Sequence, residues 1–309
     1  MHIDRRTALA GLGSLALPFN SLLAAASPDA RTRLVLLGTA GGPRPRRTRS
    51  GSAQAIIAGG KIYVVDCGDG VARQMALAGL PLRNLRHILV THHHSDHNID
   101  LGALLQTAWI SGLVMPVDCW GPPPIRAMIA DYLRFQDPDI SVRTRDEGRV
   151  PLAPLIRSHD VTGGPVFQDE TLRVTAAKVK HPPMDLALAY RFDAADRSIV
   201  ISGDTTESEE LVTLAAGADV LVHEVMLAEQ VRAMVKNLPS ADQLARSIIS
   251  HHTTAEQVGR VAAAAKVKTV VLSHFVPAED PDVPDEEWAA PVRRHYSGRI
   301  IVGRDLMEI

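Results

Sequence analysis

Short runs of β-branched and aliphatic residues alternate with stretches of helical periodicity along most of the chain, the pattern of a layered α/β domain rather than a helical bundle or an all-β sandwich. Strands are predicted over 34–37, 53–58, 62–65, 87–90, 114–118, 172–179, 187–192, 198–201, 220–223, 269–273 and 300–302, with Gly59-Gly60 reading as a hairpin turn between the second and third. Apolar residues recur at helical spacing over 70–78, 100–110, 125–135, 211–215, 241–250 and 255–265. The stretch 136–170, rich in Pro, Asp and Arg, follows neither period and reads as an irregular surface excursion. No internal repeat breaks the pattern, which describes one domain over 27–309.

The first 26 residues stand apart. A charged start at Asp4-Arg5-Arg6, an apolar stretch over 8–18 and small residues at Ala24-Ala25-Ala26 follow the plan of a cleaved export signal. The paired arginines followed by Leu9 look like a twin-arginine signal, so a periplasmic or secreted protein is expected. The apolar stretch is shorter than the roughly 20 residues a helix needs to cross a bilayer, so no membrane span is expected once the signal is removed. At 309 residues, 46% hydrophobic and 22% charged, the chain has ordinary globular composition, and a formal charge of -2 supplies no global attraction to nucleic acid or anionic lipid. Cys67 and Cys119 lie far apart in sequence and imply no bridge.

Candidate chemistry begins where the strand over 87–90 runs into Thr91-His92-His93-His94-Ser95-Asp96-His97. In an extended segment alternate side chains share a side, so His92, His94 and Asp96 face together, His97 turns towards a second position and His93 points away. Neutral imidazole and carboxylate both suit Zn²⁺, and this run can seed two adjacent metal sites. It cannot complete them. His181, Asp204 and His274 have the right chemistry and follow predicted strands, where open α/β sheets gather functional groups.

Taken together, these residues resemble the metallo-β-lactamase superfamily, in the branch of ribonuclease Z and the zinc-type arylsulfatases. The resemblance extends over Leu36-Leu37-Gly38-Thr39, Val65-Asp66-Cys67-Gly68, the histidine run, Lys180-His181, Ser202-Gly203-Asp204-Thr205, Val222-His223-Glu224, His252-Thr253-Thr254 and Leu272-Ser273-His274, in the family's order. It implies a four-layered αβ/βα sandwich. It also implies two zinc ions, with manganese or iron as other divalent occupants: one on His92, His94 and His181, a second on Asp96, His97 and His274, and Asp204 between them. Asp96 would orient the attacking water as well as bind metal, and Glu224 with His252 would handle the proton of the leaving group. Asp66 would buttress the histidine loop, while Gly38 and Gly68 would serve tight turns. A homodimer is implied as well.

The loop Gly42-Pro43-Arg44-Pro45-Arg46-Arg47-Thr48-Arg49-Ser50 borders the metal cleft in that family, which makes Arg46 and Arg47 the expected holders of an anionic substrate group. Between His181 and Asp204 there is room only for a hairpin, where bacterial ribonuclease Z commonly inserts a projecting arm that grips transfer RNA, and Val225-Met226 replaces the usual Ala-Thr after Glu224. With an export signal added, the expected substrate is a small anionic ester, an aryl sulfate or phosphodiester, and nucleic acid is an unlikely partner. Three alternatives stand beside it: hydrolysis of a lactone or β-lactam carbonyl, a ribonuclease Z-like endonuclease, and a non-catalytic binding or sensory protein that kept the fold.

Overall fold

The computed structural model describes residues 31–278 and 283–309; the export signal expected over 1–26 lies outside them. Two sheets face one another. The first runs in the spatial order β1 (Arg33–Gly38), β2 (Ala53–Ala58), β3 (Lys61–Val65), β4 (Leu85–Leu89), β5 (Val117–Gly121) and β6 (Ile156–Asp160). The second comprises β7 (Gly164–Gln168), β8 (Leu172–Val179), β9 (Ala187–Ala194), β10 (Ser198–Ile201), β11 (Val220–Met226), β12 (Thr269–Val276) and β13 (Arg299–Val302), again neighbours in that order. Helices α1 (Val71–Leu77), α2 (Ser95–Asn98), α3 (Leu101–Ile110), α4 (Ile125–Phe135) and α5 (Asp137–Asp146) belong to the first half. The second half holds α6 (Glu209–Leu214), α7 (Ala228–Val235), α8 (Ala241–His251), α9 (Ala255–Ala265) and α10 (Asp285–Arg293).

Three apolar layers hold these elements together. Leu34, Leu36, Ile56, Leu188, Phe192, Val222 and Val271 pack between the sheets. Val35 and Leu37 point the other way, onto α1, α3 and α4 through Met75, Leu104 and Ile125. The outer face of the second sheet is covered by α6, α9 and α10 through Leu211, Val258, Val261 and Trp288. Strands buried on both faces read as continuous apolar runs, as Leu34 to Leu37 of β1 show. The result is the expected αβ/βα sandwich. No helix among the described residues is long and apolar enough to cross a membrane.

The parallel strands β3 to β5 and β10 to β13, together with the antiparallel β8, carry the site, because their C-terminal ends open into loops free of ladder hydrogen bonds. Local signals explain several of the boundaries. Gly59 and Gly60 adopt φ of 56° and 76°, which the hairpin between β2 and β3 requires. Thr254 and Gln257 form a reciprocal capping box that starts α9. The predicted strand over 114–118 instead begins at Val117, since Val114 and Met115 are exposed and precede Pro116.

The stretch over 136–170 corrects the sequence reading most. It holds α5 and the strands β6 and β7. Helix α5 has little apolar character; Pro138 and acidic residues begin it, and Arg143 pairs with Asp139 and Glu147 one turn to either side. Strands β6 and β7 are edges of opposite sheets, where polar residues and Pro165 do not break the ladder. Phe167 of β7 crosses to the first sheet and stacks on His87 at 4.2 Å, and Tyr63 stacks against the same imidazole at 5.0 Å.

Burial in that stack lowers the pKa of His87 to about 4, and the Trp120 indole N–H donates to its Nδ1 at 3.2 Å, fixing a neutral ring. In the unfolded chain the same imidazole takes up a proton near pH 6.5. The unfolded state therefore binds more protons between about pH 6.5 and 4, and folding stability falls as pH drops through that window, by up to about 1.4 kcal/mol per pH unit. Urea unfolding of His87→Phe should lose this part of the acid sensitivity. A parallel pH dependence for parent and variant would show that His87 is not its source.

Candidate metal centre

Strand β4 ends at Leu89, and residues 91–94 continue in extended form until His94, at φ -68° and ψ 147°, opens the short helix α2. The helical turn carries Asp96 and His97 away from the side that His92 and His94 share. Strict alternation through Asp96 is thereby corrected, and the assignment implied by resemblance describes the geometry better. His93 points away, its Nε2 donating to the Pro122 carbonyl at 2.8 Å.

Two clusters result. In the first, His94 Nδ1 lies 3.0 Å from both His92 Nε2 and His181 Nε2, and Asp204 Oδ2 stands 3.9 and 3.7 Å from those two Nε2 atoms. In the second, His97 Nε2 and His274 Nε2 are 3.2 Å apart, and Asp96 Oδ2 lies 3.5 and 3.3 Å from them. Asp204 Oδ1 is 3.3 Å from the same two nitrogens. One carboxylate thus turns one oxygen to each cluster. His181 follows β8, Asp204 follows β10, and His274 lies within β12 at φ 45°, a left-handed conformation unusual for a side chain of this size.

The donor set fits a pair of metal ions, with four donors in each cluster and Asp204 in both. Imidazole nitrogens this close have no common proton arrangement that satisfies them, and Asp204 Oδ1 is buried without a hydrogen bond despite its short distances. Burial keeps His92, His94 and His181 below the usual histidine pKa, in the neutral form that ligates metal. Asp96 and Asp204 are held below the carboxylate range: burial opposes this, but His97 and His274 outweigh it. The carboxylates of Asp204, Asp66 and Asp96 in turn raise His97 against its own burial. Such a centre draws in cations.

Asp66 supports both clusters. Its oxygens accept the Thr91 N–H at 2.8 Å, the Thr91 hydroxyl at 2.9 Å and His97 Nδ1 at 2.7 Å, and Thr91 Oγ1 meets His92 Nδ1 at 3.1 Å. Gly38 and Gly68 serve close approach rather than the tight turns expected of them. A Cβ on Gly68 would stand 2.5 Å from the Asp96 carbonyl oxygen, and one on Gly38 would stand 1.9 Å from that of Gly51. Cys67 and Cys119 are both free and buried in the same apolar layer.

Glu224 and His252 come together beside the second cluster. Glu224 Oε1 accepts the backbone N–H groups of Thr205 and Thr253 at 3.0 and 3.1 Å, and Oε2 accepts from His252 Nδ1 at 3.1 Å. Burial would lower the pKa of His252, but Glu224 and Asp204 outweigh it and raise it to about 9. The bulge after Glu224 in the β11–β12 register lies where Val225-Met226 departs from the family pattern, and the carboxylate contacts are formed nonetheless.

A cavity of about 570 Å³ joins this centre to two features of unequal legibility. One is the arginine loop: Arg44 and Arg46 line the cavity, Arg47 is exposed outside its lining, and Arg49 is buried over the Phe275 ring at 4.2 Å. Gly42 N donates to Asp96 Oδ2 at 3.0 Å, a contact between loop and ligand that sequence reading missed. The other is an aliphatic wall of Met234, Leu238, Leu244 and Ile248 from the α7–α8 hairpin. The amphipathic period over 241–250 was its only forewarning.

The comparisons with known proteins agree on the family. A Beta-lactamase superfamily domain matches residues 62–275. A protein named Ribonuclease Z from Mycobacterium bovis is 33% identical over 89% of this chain and 97% of its own length, and one of the same name from Mycobacterium avium is 34% identical with the same coverage. The crystal structure of human tRNase Z, short form, superposes with a TM-score of 0.66 at 21% identity, over 90% of this chain and 98% of that one.

These relatives overturn the expectation of an arylsulfatase-like or small-ester hydrolase with nucleic acid as an unlikely partner. That expectation leaned on the short segment between His181 and Asp204. Yet this chain spans 97% of the Mycobacterium bovis protein, which leaves no room there for a large arm that this chain lacks. Net charge decides nothing here, since arginines concentrated on one loop act locally whatever the total.

Replacing Asp66 with Ala removes the acceptor for His97 and Thr91 together. Chelator competition should show metal affinity falling on the order of 10–100-fold, as for other supports of metal-bound imidazoles, with the far-ultraviolet spectrum unchanged. Undiminished affinity in a folded variant would remove Asp66 from this role.

Proposed function

The chain belongs to the beta-lactamase superfamily, in its ribonuclease Z branch, and from that premise we propose that it is a zinc-dependent endonuclease that hydrolyses phosphodiester bonds in transfer RNA precursors. The observation that carries this reading is Asp204, with one oxygen turned to each of two histidine clusters, beside a hydrogen-bonded Glu224–His252 pair on the same cavity. Paired zinc ions supply Lewis acidity to a phosphoryl group and make water a competent nucleophile near neutral pH.

The residues divide the remaining work. His92, His94 and His181 would hold one ion and Asp96, His97 and His274 the other, with Asp204 offering one oxygen to each cluster. Asp96, anchored by the Gly42 N–H, orients the attacking water. His252 gives its remaining N–H to the oxygen that leaves, and Glu224, immobilised by two backbone donors, keeps that imidazole aimed and charged. Arg46, helped by Arg44 within the cavity and Arg47 at its rim, neutralises phosphates flanking the scissile one. The aliphatic wall opposite offers ribose and base an apolar surface without hydrogen-bonding groups, which suits recognition that ignores base identity.

The direct test incubates the zinc-loaded protein with a transfer RNA precursor carrying a 3′ trailer. A defined cut, lost in Asp204→Ala, is expected; no cleavage by the metal-loaded parent would end the proposal. Proton donation has a separate signature. His252→Ala should lower turnover of RNA by about 10²–10⁴-fold, because an alkoxide leaves poorly without a proton, and should spare an activated aryl phosphodiester. Equal losses on both would assign His252 to structure. Arg46→Ala should raise KM for RNA and flatten its dependence on salt by about one unit of slope.

A further inference from the structure

Directly beneath the second metal cluster, between the two sheets, lies a cavity of about 10 Å³ lined by Gln54, Asp66, His97, Ser202, Asp204, Glu224, Ser273 and His274, among others. Four atoms of these side chains have no hydrogen-bond partner: Gln54 Oε1, Ser273 Oγ, His274 Nδ1 and Asp204 Oδ1. All four residues are at least 96% buried. Asp204 Oδ1 belongs to the metal centre, as described. The other three point to a different ligand.

Buried polar groups are almost always paired, and a cluster of exceptions calls for an agent that pairs them. His274 turns Nε2 towards Asp96, Asp204 and His97, so metal binding through Nε2 leaves the proton on Nδ1. The comparable outer nitrogens already have partners in the protein. His97 Nδ1 meets Asp66, His181 Nδ1 meets the His251 carbonyl, and His92 Nδ1 meets Thr91. His274 alone of these four has a buried outer N–H with no protein acceptor. Its neighbours in the cavity are an amide oxygen that needs a donor and a hydroxyl that can take either part.

We infer that this cavity binds a single water molecule, through which Gln54 of β2 and Ser273 of β12 position the metal ligand His274. The volume is near the roughly 10–15 Å³ that one water requires, and three polar partners are the usual number for a buried one. The water accepts from His274 Nδ1–H, donates to Gln54 Oε1 and shares its remaining hydrogen bond with Ser273 Oγ. Gln54 and Ser273 come from opposite sheets, so the molecule also couples the two halves of the sandwich under the centre. Neither residue touches substrate. Both are positioning residues, and the left-handed backbone of His274 is what makes an external hold on its ring useful.

The metal-dependent half of this inference rests on the reading of two bound ions; the water itself does not. A high-resolution crystal structure of the full chain, with and without zinc, should show one ordered oxygen within hydrogen-bond distance of Gln54 Oε1, Ser273 Oγ and His274 Nδ1. No density there, or a protein atom in direct contact with His274 Nδ1, would overturn the proposal even if RNA cleavage were confirmed. With zinc bound, Gln54→Leu should speed release of one of the two ions to a chelator by about 10–100-fold, while Gln54→Glu, which keeps an acceptor, should stay within a few-fold of the parent. Nitrogen-15 spectra should place a protected His274 Nδ1–H in the parent, exchanging with a long-lived water. Equal release rates for Gln54→Leu and the parent, both folded, would refute the positioning role. Should neither protein bind zinc, the fault would lie with the metal reading, and the crystallographic oxygen would still decide the site.

Discussion

Burying Asp204 between five imidazoles is the constraint on which the rest of this structure depends. A carboxylate taken out of water is costly unless charge or hydrogen bonds compensate, and Asp204 has one oxygen without a hydrogen bond. Its surroundings answer with convergence. Loops from β4, β8 and β10, together with β12, are brought within a few ångströms by two sheets that could otherwise pack at many offsets. The apolar layers set the distance between the sheets, and the polar centre sets their registry. Neither would be sufficient alone, since apolar packing is tolerant of small slides and hydrogen-bonded charge is not.

Support for this centre is arranged in tiers that differ in rigidity. Asp66 is held by backbone and by Thr91, Glu224 by two backbone donors, while His94 and His252 line the cavity and are partly exposed. Side chains that line the large cavity are carried mostly on loops and on the α7–α8 hairpin, where small adjustments do not disturb the ladders. The same division separates Arg49, locked over Phe275, from Arg44 and Arg46, which face the cavity.

How much of this could be read in the sequence follows from the range of the forces involved. Helix α9, with its capping box, and strands β2, β8 and β10 are legible because their signals are local, and their bounds match the periodicity. Edge strands β6 and β7 and helix α5 are not, because pairing partners, ion pairs and a stacked ring hold them rather than an apolar period. Within the centre, residue types and their order sufficed to nominate the seven residues that the two clusters bring together, whereas the change from extended chain to helical turn at Ser95 reversed the side on which Asp96 was expected. The substrate was read least well. A missing arm and an export signal were the grounds for expecting no nucleic acid, yet neither describes the surface that a ligand meets.

The end of the chain has a bearing on how this molecule comes into being. Residues 306–309 return to the first strand, with Leu36 N–H donating to the Met307 carbonyl and Ile309 N–H to that of Leu34. Arg33 and Glu308 pair across the same seam. The outer rim of β1 therefore stays open until residues 306–309 have been made, and a ribosome-bound chain must carry that sticky margin while both sheets emerge. Closure couples β1 to a segment made after β13, so the finished seam forms only once the strands of both sheets have been synthesised.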